Sequence, residues 1–270
     1  MAKLNIRGVE THVDVWNTDG EITLVALHGF TGSTATWRNL ANSMPSVRIV
    51  AIDLMGHGKT GVPLETSRFS MCEQLKDVEA IFDMLQLTQF SLLGYSMGGR
   101  IALSYVIAYP HRVEKLILES ASPGLQTAEE RSARITRDEV LAAKIEVNGL
   151  ESFVNAWENI SLFETQKKLP DAVRLEIRSE RLSQCITGLA GSLRGIGTGK
   201  QPSNWSDLTQ VENPVLLITG SLDEKFCRIA SEMKMFLKNA ENVTVNDAGH
   251  AIHVENPAEF ATIVGKYLFS

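Results

Sequence analysis

"FSLLGYSMGGR", residues 90–100, combines features that together predict one kind of turn. Its first residues are mostly apolar and favour a buried strand. The small-residue frame G-x-S-x-G then runs from Gly94 to Gly98, which allows a sharp strand-to-helix turn with the hydroxyl of Ser96 exposed. The free amides and the dipole of the following helix favour negative charge at that point. The stretch therefore predicts a nucleophile, with Arg100 one helical turn beyond it.

Patterns typical of strands and of helices alternate on both sides of this turn. The strand-like apolar runs lie at 22–28, 47–53, 90–96, 113–120, 214–220 and 242–247. The helical patterns lie at 34–44, 71–86, 97–109, 228–239 and 257–268. Apolar runs separated by helices predict a mostly parallel, doubly wound sheet, and hence an α/β fold. Residues 4–16 alternate polar and apolar types around Gly8, which predicts an antiparallel hairpin at the sheet edge.

This alternation stops between about 124 and 205. Charged amphipathic helical patterns replace it at 127–147, 150–158, 170–184 and 185–195. We therefore predict a core formed by residues 1–123 and 206–270, with a helical cap, residues 124–205, inserted between its two parts. The cap is expected over the carboxyl edge of the sheet, where open α/β sheets bind ligands.

Composition narrows the class of protein and its partners. The 270 residues carry a formal net charge of -6, which disfavours nucleic acid as a partner. No apolar run is long enough for a membrane span, and the charged N-terminal stretch is unlike a secretory signal. The three cysteines are far apart in the chain, which favours free thiols in a reducing compartment. We expect a cytoplasmic protein without membrane or nucleic-acid partners, as a monomer or a weak homo-oligomer.

Two further strand ends carry the partners that a serine nucleophile needs. Asp223 follows the strand-like run 214–220, and His250 follows the run 242–247. A carboxylate beside an imidazole fixes one tautomer, so that the other ring nitrogen accepts the proton of Ser96. The chain order Ser, Asp, His is the order found in α/β-hydrolases. These three residues are the predicted catalytic triad.

Three other acids compete with Asp223 for a place beside the histidine: Asp53, Glu119 and Asp247. Asp53 is followed by the turn-forming sequence LMGHG, so that we expect it to be structural. Two other motifs carry no chemistry of their own. GHGKT (56–60) lacks the first glycine of a phosphate-binding loop, and HAIHVE (250–255) lacks the HExxH arrangement of a metal site. Neither a metal nor a cofactor is predicted.

The negative charge that develops during the reaction needs two preorganised hydrogen-bond donors. One predicted donor is the amide of Met97, directly after the nucleophile. The other is the amide of Phe30, in the sequence HGFTGS (28–33) that follows the first parallel strand. We expect His28 to support that loop rather than to react.

Several segments resemble one family within the α/β-hydrolase superfamily, whose fold plan covers nearly the whole chain. They are GYSMGGR (94–100), ESASPGLQTAEERSARITRD (119–138), FVNAWENISLFE (153–164), LRGIGTGKQPSNW (193–205), GSLDEKF (220–226) and AGHAIHVENP (248–257). The first and last are widespread among α/β-hydrolases, whereas the second and fourth are more specific. These segments are similar to those of the 2-succinyl-6-hydroxy-2,4-cyclohexadiene-1-carboxylate synthases of menaquinone biosynthesis. The implied fold is an α/β-hydrolase fold with an inserted cap.

The resemblance implies an elimination rather than a hydrolysis. The family's substrate is a small tricarboxylate with an enolpyruvyl ether, 2-succinyl-5-enolpyruvyl-6-hydroxy-3-cyclohexene-1-carboxylate. The serine, activated by the histidine, removes the proton α to the succinyl carbonyl. The oxyanion hole stabilises the resulting enolate and pyruvate leaves, so that the implied enzyme is a carbon–oxygen lyase. No acyl-enzyme, metal or cofactor is required.

The resemblance also assigns substrate-binding residues. They are Tyr95, Arg100, Arg134, Trp157 and Arg178. A substrate with three carboxylates needs fixed cations, and the planar fork of arginine suits a carboxylate. Arg181 lies one turn after Arg178 and is an alternative to it.

Two alternative functions remain. A carboxylesterase or C–C bond hydrolase would use the same triad, but neutral-ester pockets are mostly apolar and gain nothing from buried cations. A non-catalytic binding protein on the same scaffold would keep its ligand-dependent function when Ser96 is replaced by alanine. The arginine set argues against the first alternative, and the complete triad argues against the second.

Overall fold

The computed structural model describes residues 2–270 and contains one mixed sheet of eight strands. The strands are β1 (Ala2–Ile6), β2 (Val9–Trp16), β3 (Ile22–Leu27), β4 (Val47–Ile52), β5 (Phe90–Tyr95), β6 (Val113–Glu119), β7 (Val215–Gly220) and β8 (Ala240–Val245). Their order is β1-β2-β4-β3-β5-β6-β7-β8. β1 and β2 pair antiparallel, β2 pairs antiparallel with β4, and all other pairs are parallel. The predicted α/β fold with an edge hairpin is confirmed.

Helices cover both faces of this sheet. They are α1 (Arg38–Ser43), α2 (Met71–Met84), α3 (Met97–Ala108), α4 (Ala128–Trp157), α5 (Asp171–Leu182), α6 (Ile186–Ile196), α7 (Glu224–Phe236), α8 (Ile252–Glu255) and α9 (Pro257–Leu268). Short 3-10 segments lie at Thr34–Trp37, Thr66–Phe69, Pro110–Arg112, Ser161–Lys168 and Leu208–Gln210. Two buried apolar clusters lie on opposite faces of the central strands, as the continuous apolar runs predict.

Between β6 and β7 the chain is helical, in the range for which the cap is predicted. α4 bends at Gly149, whose φ of 81° belongs to the left-handed region that glycine tolerates. The bend separates two helical pieces close to the predicted 127–147 and 150–158. α4 and α6 share their own apolar cluster, so that this segment has a small core of its own. The limits of core and cap at 123/124 and 205/206 stay a prediction.

Two boundaries differ from the predicted ones for local reasons. α7 begins at Glu224 rather than at 228, because the Asp223 side chain accepts a hydrogen bond from the Phe226 amide and caps the helix. The 3-10 segment Ser161–Lys168 was not predicted. Among the helices of residues 2–270, none combines the length and the apolar character needed to cross a bilayer.

Candidate active site

Ser96 occupies a strained turn between β5 and α3. Its φ of 49° and ψ of -103° lie outside the ordinary regions for a residue with a side chain. The turn is held from both sides: the Ser96 amide donates to the Glu119 carbonyl over 2.9 Å, and the Arg100 amide donates to the Ser96 carbonyl over 3.1 Å. α3 packs so closely on β3 that a Cβ at Gly98 would overlap the carbonyl of Leu27. The predicted strand-to-helix turn is therefore present, with its glycine in the crowded position.

The structure brings Ser96, His250 and Asp223 into one hydrogen-bonded chain. The Nε2 atom of His250 lies 3.0 Å from the Oγ of Ser96, and its Nδ1 lies 2.7 Å from the Oδ2 of Asp223. His250 is 1% exposed and Asp223 is 8% exposed. The buried carboxylate places the imidazole proton on Nδ1, so that Nε2 is free to accept the serine proton. This is the geometry of an activated nucleophile.

The competing acids are occupied elsewhere. Asp53 accepts hydrogen bonds from the amides of Thr34 at 2.6 Å and Lys59 at 2.7 Å, so that it fixes the turn after β4. Asp247 lies in the turn after β8 with a φ of 57°, and its amide donates to the Oγ of Ser221. Among residues 2–270, the acid hydrogen-bonded to His250 is Asp223.

Glu119 forms a second carboxylate–imidazole pair, which the sequence reasoning missed. Its side chain is 0% exposed and accepts from the Nδ1 of His253 at 2.8 Å and from the His253 amide at 3.0 Å. The Glu119 backbone lies between Tyr95 of β5 and Ile218 of β7. It therefore joins the strand that carries the nucleophile to the loop that carries His250. The available signal was an acid at the end of a parallel strand.

The loop after β3 carries Phe30, whose amide is the second predicted oxyanion donor. A tight turn is closed by the amide of Gly32, which donates to the Gly29 carbonyl over 3.0 Å. This turn leaves the Phe30 amide free of the turn hydrogen bond, and Phe30 lines the same cavity as Ser96 and Met97. The Met97 amide lies in the first turn of α3, where helix amides have no intrahelical acceptor.

His28 supports this loop, as expected. Its Nδ1 lies 2.7 Å from the Gly29 carbonyl, and its Nε2 accepts from the Leu54 amide over 3.0 Å. Complete burial lowers the pKa of His28 to about 4, because the charged form loses its hydration. The ring is therefore neutral and connects the loops that follow β3 and β4 through its two hydrogen bonds.

A cavity of about 640 Å³ opens over Ser96 and His250 beneath the cap. Its wall includes the aromatic rings of Phe30, Trp157 and Phe163. The Phe30 and Trp157 rings meet edge to face with centroids 5.5 Å apart, and Trp157 meets Phe163 at 5.8 Å. Tyr95 and Trp157 therefore line the cavity for which the sequence predicts them.

Arg100 is the most unusual group in this cavity. It is 9% exposed, and within residues 2–270 no carboxylate lies within ion-pair distance of its guanidinium. Its Nη1 donates to the Ile196 carbonyl at 2.6 Å and to the Gln201 side chain at 3.1 Å, both neutral acceptors. Burial, and then the nearby Arg134 cation, lower the pKa of Arg100 to about 10. An uncompensated cation lining a cavity is suited to an anionic ligand.

The other predicted arginines differ in placement. Arg134 lines the cavity and is held by Asp138, with Nε 2.7 Å from Oδ1. The structure does not bring Arg178 to this cavity: its guanidinium donates to Glu158 at 2.7 Å and to Asn155 at 2.6 Å, beside a separate cleft in the cap. A substrate-binding role for Arg178 therefore stays a prediction.

Three cavity-lining or supporting residues were not assigned from the sequence. Lys225 and Arg228 of α7 line the cavity mouth, and Gln201, 1% exposed, holds Arg100 from the cap exit. Gln201 belongs to the segment GTGKQPSNW, whose specificity was the available signal. Two further cations at the mouth add to the positive character of the cavity.

Comparison with known proteins agrees with this geometry. The family model described as alpha/beta hydrolase fold matches residues 22–257. A Bacillus subtilis protein named "Putative 2-succinyl-6-hydroxy-2,4-cyclohexadiene-1-carboxylate synthase" is 49% identical over 247 residues, covering 92% of this chain and 90% of that protein. An Enterobacter 2-succinyl-6-hydroxy-2,4-cyclohexadiene-1-carboxylate synthase is 29% identical over 245 residues, which cover 91% of each protein. The solved structure of MenH from S. aureus is 35% identical with a TM-score of 0.91, covering 95% of this chain and 97% of that one.

Proposed function

The chain belongs to the α/β-hydrolase family and, within it, to the 2-succinyl-6-hydroxy-2,4-cyclohexadiene-1-carboxylate synthases, and we propose that it eliminates pyruvate from 2-succinyl-5-enolpyruvyl-6-hydroxy-3-cyclohexene-1-carboxylate. The resemblance predicted from the sequence is confirmed. The observation that best supports this activity is that Arg100, which is buried and has no ion-pair partner among residues 2–270, lines the same cavity as the Ser96–His250 pair. A substrate with three carboxylates supplies the counter-charge that the protein itself lacks there.

The proposed reaction begins with proton transfer. His250 accepts the hydroxyl proton of Ser96, and the serine oxygen takes the proton from the carbon α to the succinyl carbonyl. The amides of Phe30 and Met97 hold the enolate oxygen. The electron pair then forms a double bond between ring carbons 2 and 3, the existing double bond between carbons 3 and 4 moves to carbons 4 and 5, and the C5–O bond to the enolpyruvyl group breaks. Protonated His250 returns its proton to the departing enolate of pyruvate, so that substrate becomes product plus pyruvate without any co-reactant.

We assign the carboxylates to the cations and the ring to the aromatic wall. Arg100 and Arg134 bind carboxylates at the cavity floor, and Tyr95 and Trp157 contact the apolar part of the substrate. Support comes from the placement of all four residues around one cavity. Their roles are testable one residue at a time.

A paired assay tests this function against the hydrolase alternative. One arm measures pyruvate release from the tricarboxylate generated in situ, and the other measures cleavage of a p-nitrophenyl ester. We expect rapid pyruvate release, feeble ester cleavage, and loss of pyruvate release in Ser96→Ala. Rapid ester cleavage with pyruvate release at the uncatalysed rate would mean a hydrolase. Full pyruvate release by Ser96→Ala would contradict the assignment of the proton-abstracting residue.

We further propose that the enzyme works in the cytoplasm as a monomer or weak homo-oligomer. Support comes from the three cysteines, all free thiols, two of them exposed, which suits a reducing compartment. Sedimentation at several protein concentrations measures the oligomeric state.

A further inference from the structure

The proposed general base, His250, lies in a loop that connects two regular elements. β8 ends at Val245 and α8 begins at Ile252, so that the catalytic ring is carried by residues 246–251. Loops are more mobile than strands and helices, whereas proton transfer requires the Nε2 atom of His250 to stay within hydrogen-bond reach of the Ser96 hydroxyl. The reaction therefore needs contacts that fix this loop.

The Glu255 carboxylate binds the loop on both sides of His250. Its Oε2 accepts a hydrogen bond from the Gly249 amide over 2.6 Å, and its Oε1 accepts one from the Ala251 amide over 3.3 Å. A carboxylate has two acceptor oxygens and no donor, so that it serves two amides at once. A single side chain thus holds the residue before the catalytic histidine and the residue after it.

The short helix α8 brings Glu255 back to the loop. The amides of Val254 and Glu255 both donate to the Ala251 carbonyl, over 3.1 Å and 2.9 Å. This single turn begins directly after the loop, and its last residue returns toward the backbone of the loop. The carboxylate is partly buried there, and hydrogen bonds from amides to a charged group are stronger than those between neutral groups.

The surroundings of the loop leave little free space. A Cβ atom built on Gly249 would lie 2.2 Å from the Oγ1 of Thr165, in the cap, and 3.0 Å from the Oε2 of Glu255. The imidazole of His250 packs edge to face against the ring of Phe226, with the centroids 4.6 Å apart. Aromatic packing therefore orients the ring, and Glu255 fixes the backbone that carries it.

We propose that Glu255 is a positioning residue for His250: by holding the two flanking amides, it keeps the Nε2 atom within hydrogen-bonding distance of Ser96. The proposal rests on the proposed function for the reaction that is served, whereas activation of a serine by a histidine is common to elimination and hydrolysis. Glu119 binds the chain beyond the loop, through the side chain and the amide of His253. Glu255 acts closer to the base, on the residues that adjoin it.

The first test is the substitution Glu255→Gln. Glutamine has nearly the same size, but one of its two terminal atoms is a donor, so that it accepts from only one of the two amides. We expect kcat for pyruvate release to fall at least about tenfold with KM within about twofold of the parent, because no residue assigned to substrate binding lies in the loop. The matched control is Glu259→Gln, in which the acid that is removed accepts from the side chain of Asn256 over 2.5 Å. This variant should keep kcat within about twofold of the parent.

The second test measures the activation of Ser96 without the tricarboxylate. Phenylmethanesulfonyl fluoride reacts with an activated serine: the serine oxygen forms a bond to sulfur, fluoride leaves, and His250 accepts the hydroxyl proton. Intact-protein mass spectrometry gives the labelling rate. We expect Glu255→Gln to be labelled at least about tenfold more slowly than the parent, and Glu259→Gln to be labelled within about twofold of it. Slow labelling of Glu255→Gln, beside a parent that releases no pyruvate, would support the positioning role and reject the proposed function.

Three results would overturn the proposal: a parental labelling rate in Glu255→Gln, equal slowing in Glu259→Gln, or a rise in KM at unchanged kcat. If Glu255→Gln does not fold, as judged by circular dichroism, Glu255→Asp takes its place. Aspartate keeps the carboxylate, but its side chain is one methylene shorter and too short to hold both amides. It should be labelled at least about threefold more slowly than the parent, and an unchanged rate would overturn the proposal.

Discussion

Replacement of Arg100 by glutamine tests whether this cation binds substrate or stabilises the fold. Glutamine keeps a hydrogen-bond donor and much of the side-chain volume but removes the charge. A structural ion pair would leave a buried carboxylate unpaired when it is broken, which destabilises a protein by about 3–5 kcal/mol. Arg100 has no such partner within residues 2–270, since its acceptors are the Ile196 carbonyl and the Gln201 side chain.

The expected magnitude follows from the pKa of the buried group. A lowering of the pKa from 12.5 to about 10 means that burial and the neighbouring Arg134 together disfavour the cation by about 3 kcal/mol in the empty cavity. Binding of a substrate carboxylate to Arg100 recovers about 3 kcal/mol, which is close to the free energy contributed by a hydrogen bond to a charged group. We therefore expect Arg100→Gln to lose about a hundredfold in kcat/KM, mainly through KM. The free energy of unfolding should change by less than about 1 kcal/mol, because relief of desolvation offsets the weakened hydrogen bonds.

The assay follows pyruvate release with lactate dehydrogenase across substrate concentrations, beside urea unfolding of the same preparations. Arg100→Lys is the control that keeps the charge without the planar fork, and its kcat/KM should fall between those of the parent and the glutamine variant. Two results would refute the reasoning. One is a kcat/KM within about threefold of the parent, and the other is a loss of activity matched by a loss of about 3 kcal/mol in stability.

Two further predictions concern buried groups beside the site. Glu119→Gln should lower kcat at least about tenfold with KM nearly unchanged, because it loosens the loop that positions His250. The control is Asp77→Asn, which removes a buried ion-paired carboxylate remote from the cavity and should lower the melting temperature without lowering kcat. Equal losses of kcat in the two variants would contradict a positioning role for Glu119. Burial, and then the electrostatic influence of the neighbouring His28, lower the pKa of His57 from 6.5 to about 3. Below pH 6.5 the unfolded chain therefore takes up a proton that the folded protein does not bind until about pH 3. The stability contributed by neutral His57 is therefore present above pH 6.5 and lost on acidification. Urea unfolding should show that the difference in free energy of unfolding between the parent and His57→Phe falls by about 3 kcal/mol from pH 6.5 to about pH 4. A difference that stays constant over this range would contradict the prediction.

The sequence predicts the triad well because its signals are local. Ser96, Asp223 and His250 each follow a recognisable strand, and the fold then brings parallel strand ends together at one edge. The Glu119–His253 pair could not be predicted in this way, since its two members are 134 positions apart and no motif that contains either of them specifies the pairing. The acid itself was visible at a strand end, but its partner depends on how the loop after β8 folds back.

The cap shows more clearly that hydrophobic patterning does not predict which side chains are buried. On α5 the apolar Leu175 is 66% exposed while the charged Arg181 is 6% exposed, the reverse of what side-chain polarity predicts. Hydrophobic patterning fails here because α5 packs beside a cleft rather than on a dry core. The choice between Arg178 and Arg181 therefore depends on the helix's rotation, which a family resemblance does not specify.

The triad alone does not separate elimination from hydrolysis, because both need the same nucleophile and the same oxyanion donors. Hydrolysis also needs a water molecule beside His250, whereas the proposed elimination consumes none. Phe30, Trp157 and Phe163 form an aromatic part of the cavity wall, and the Phe163 ring centroid lies 6.4 Å from that of His250. Arg100, a buried cation with no ion-pair partner among residues 2–270, costs stability in the empty enzyme, and a ligand that brings its own carboxylates explains this arrangement. An aromatic wall beside His250 and the buried Arg100 thus favour proton abstraction from a polyanionic substrate over attack by water.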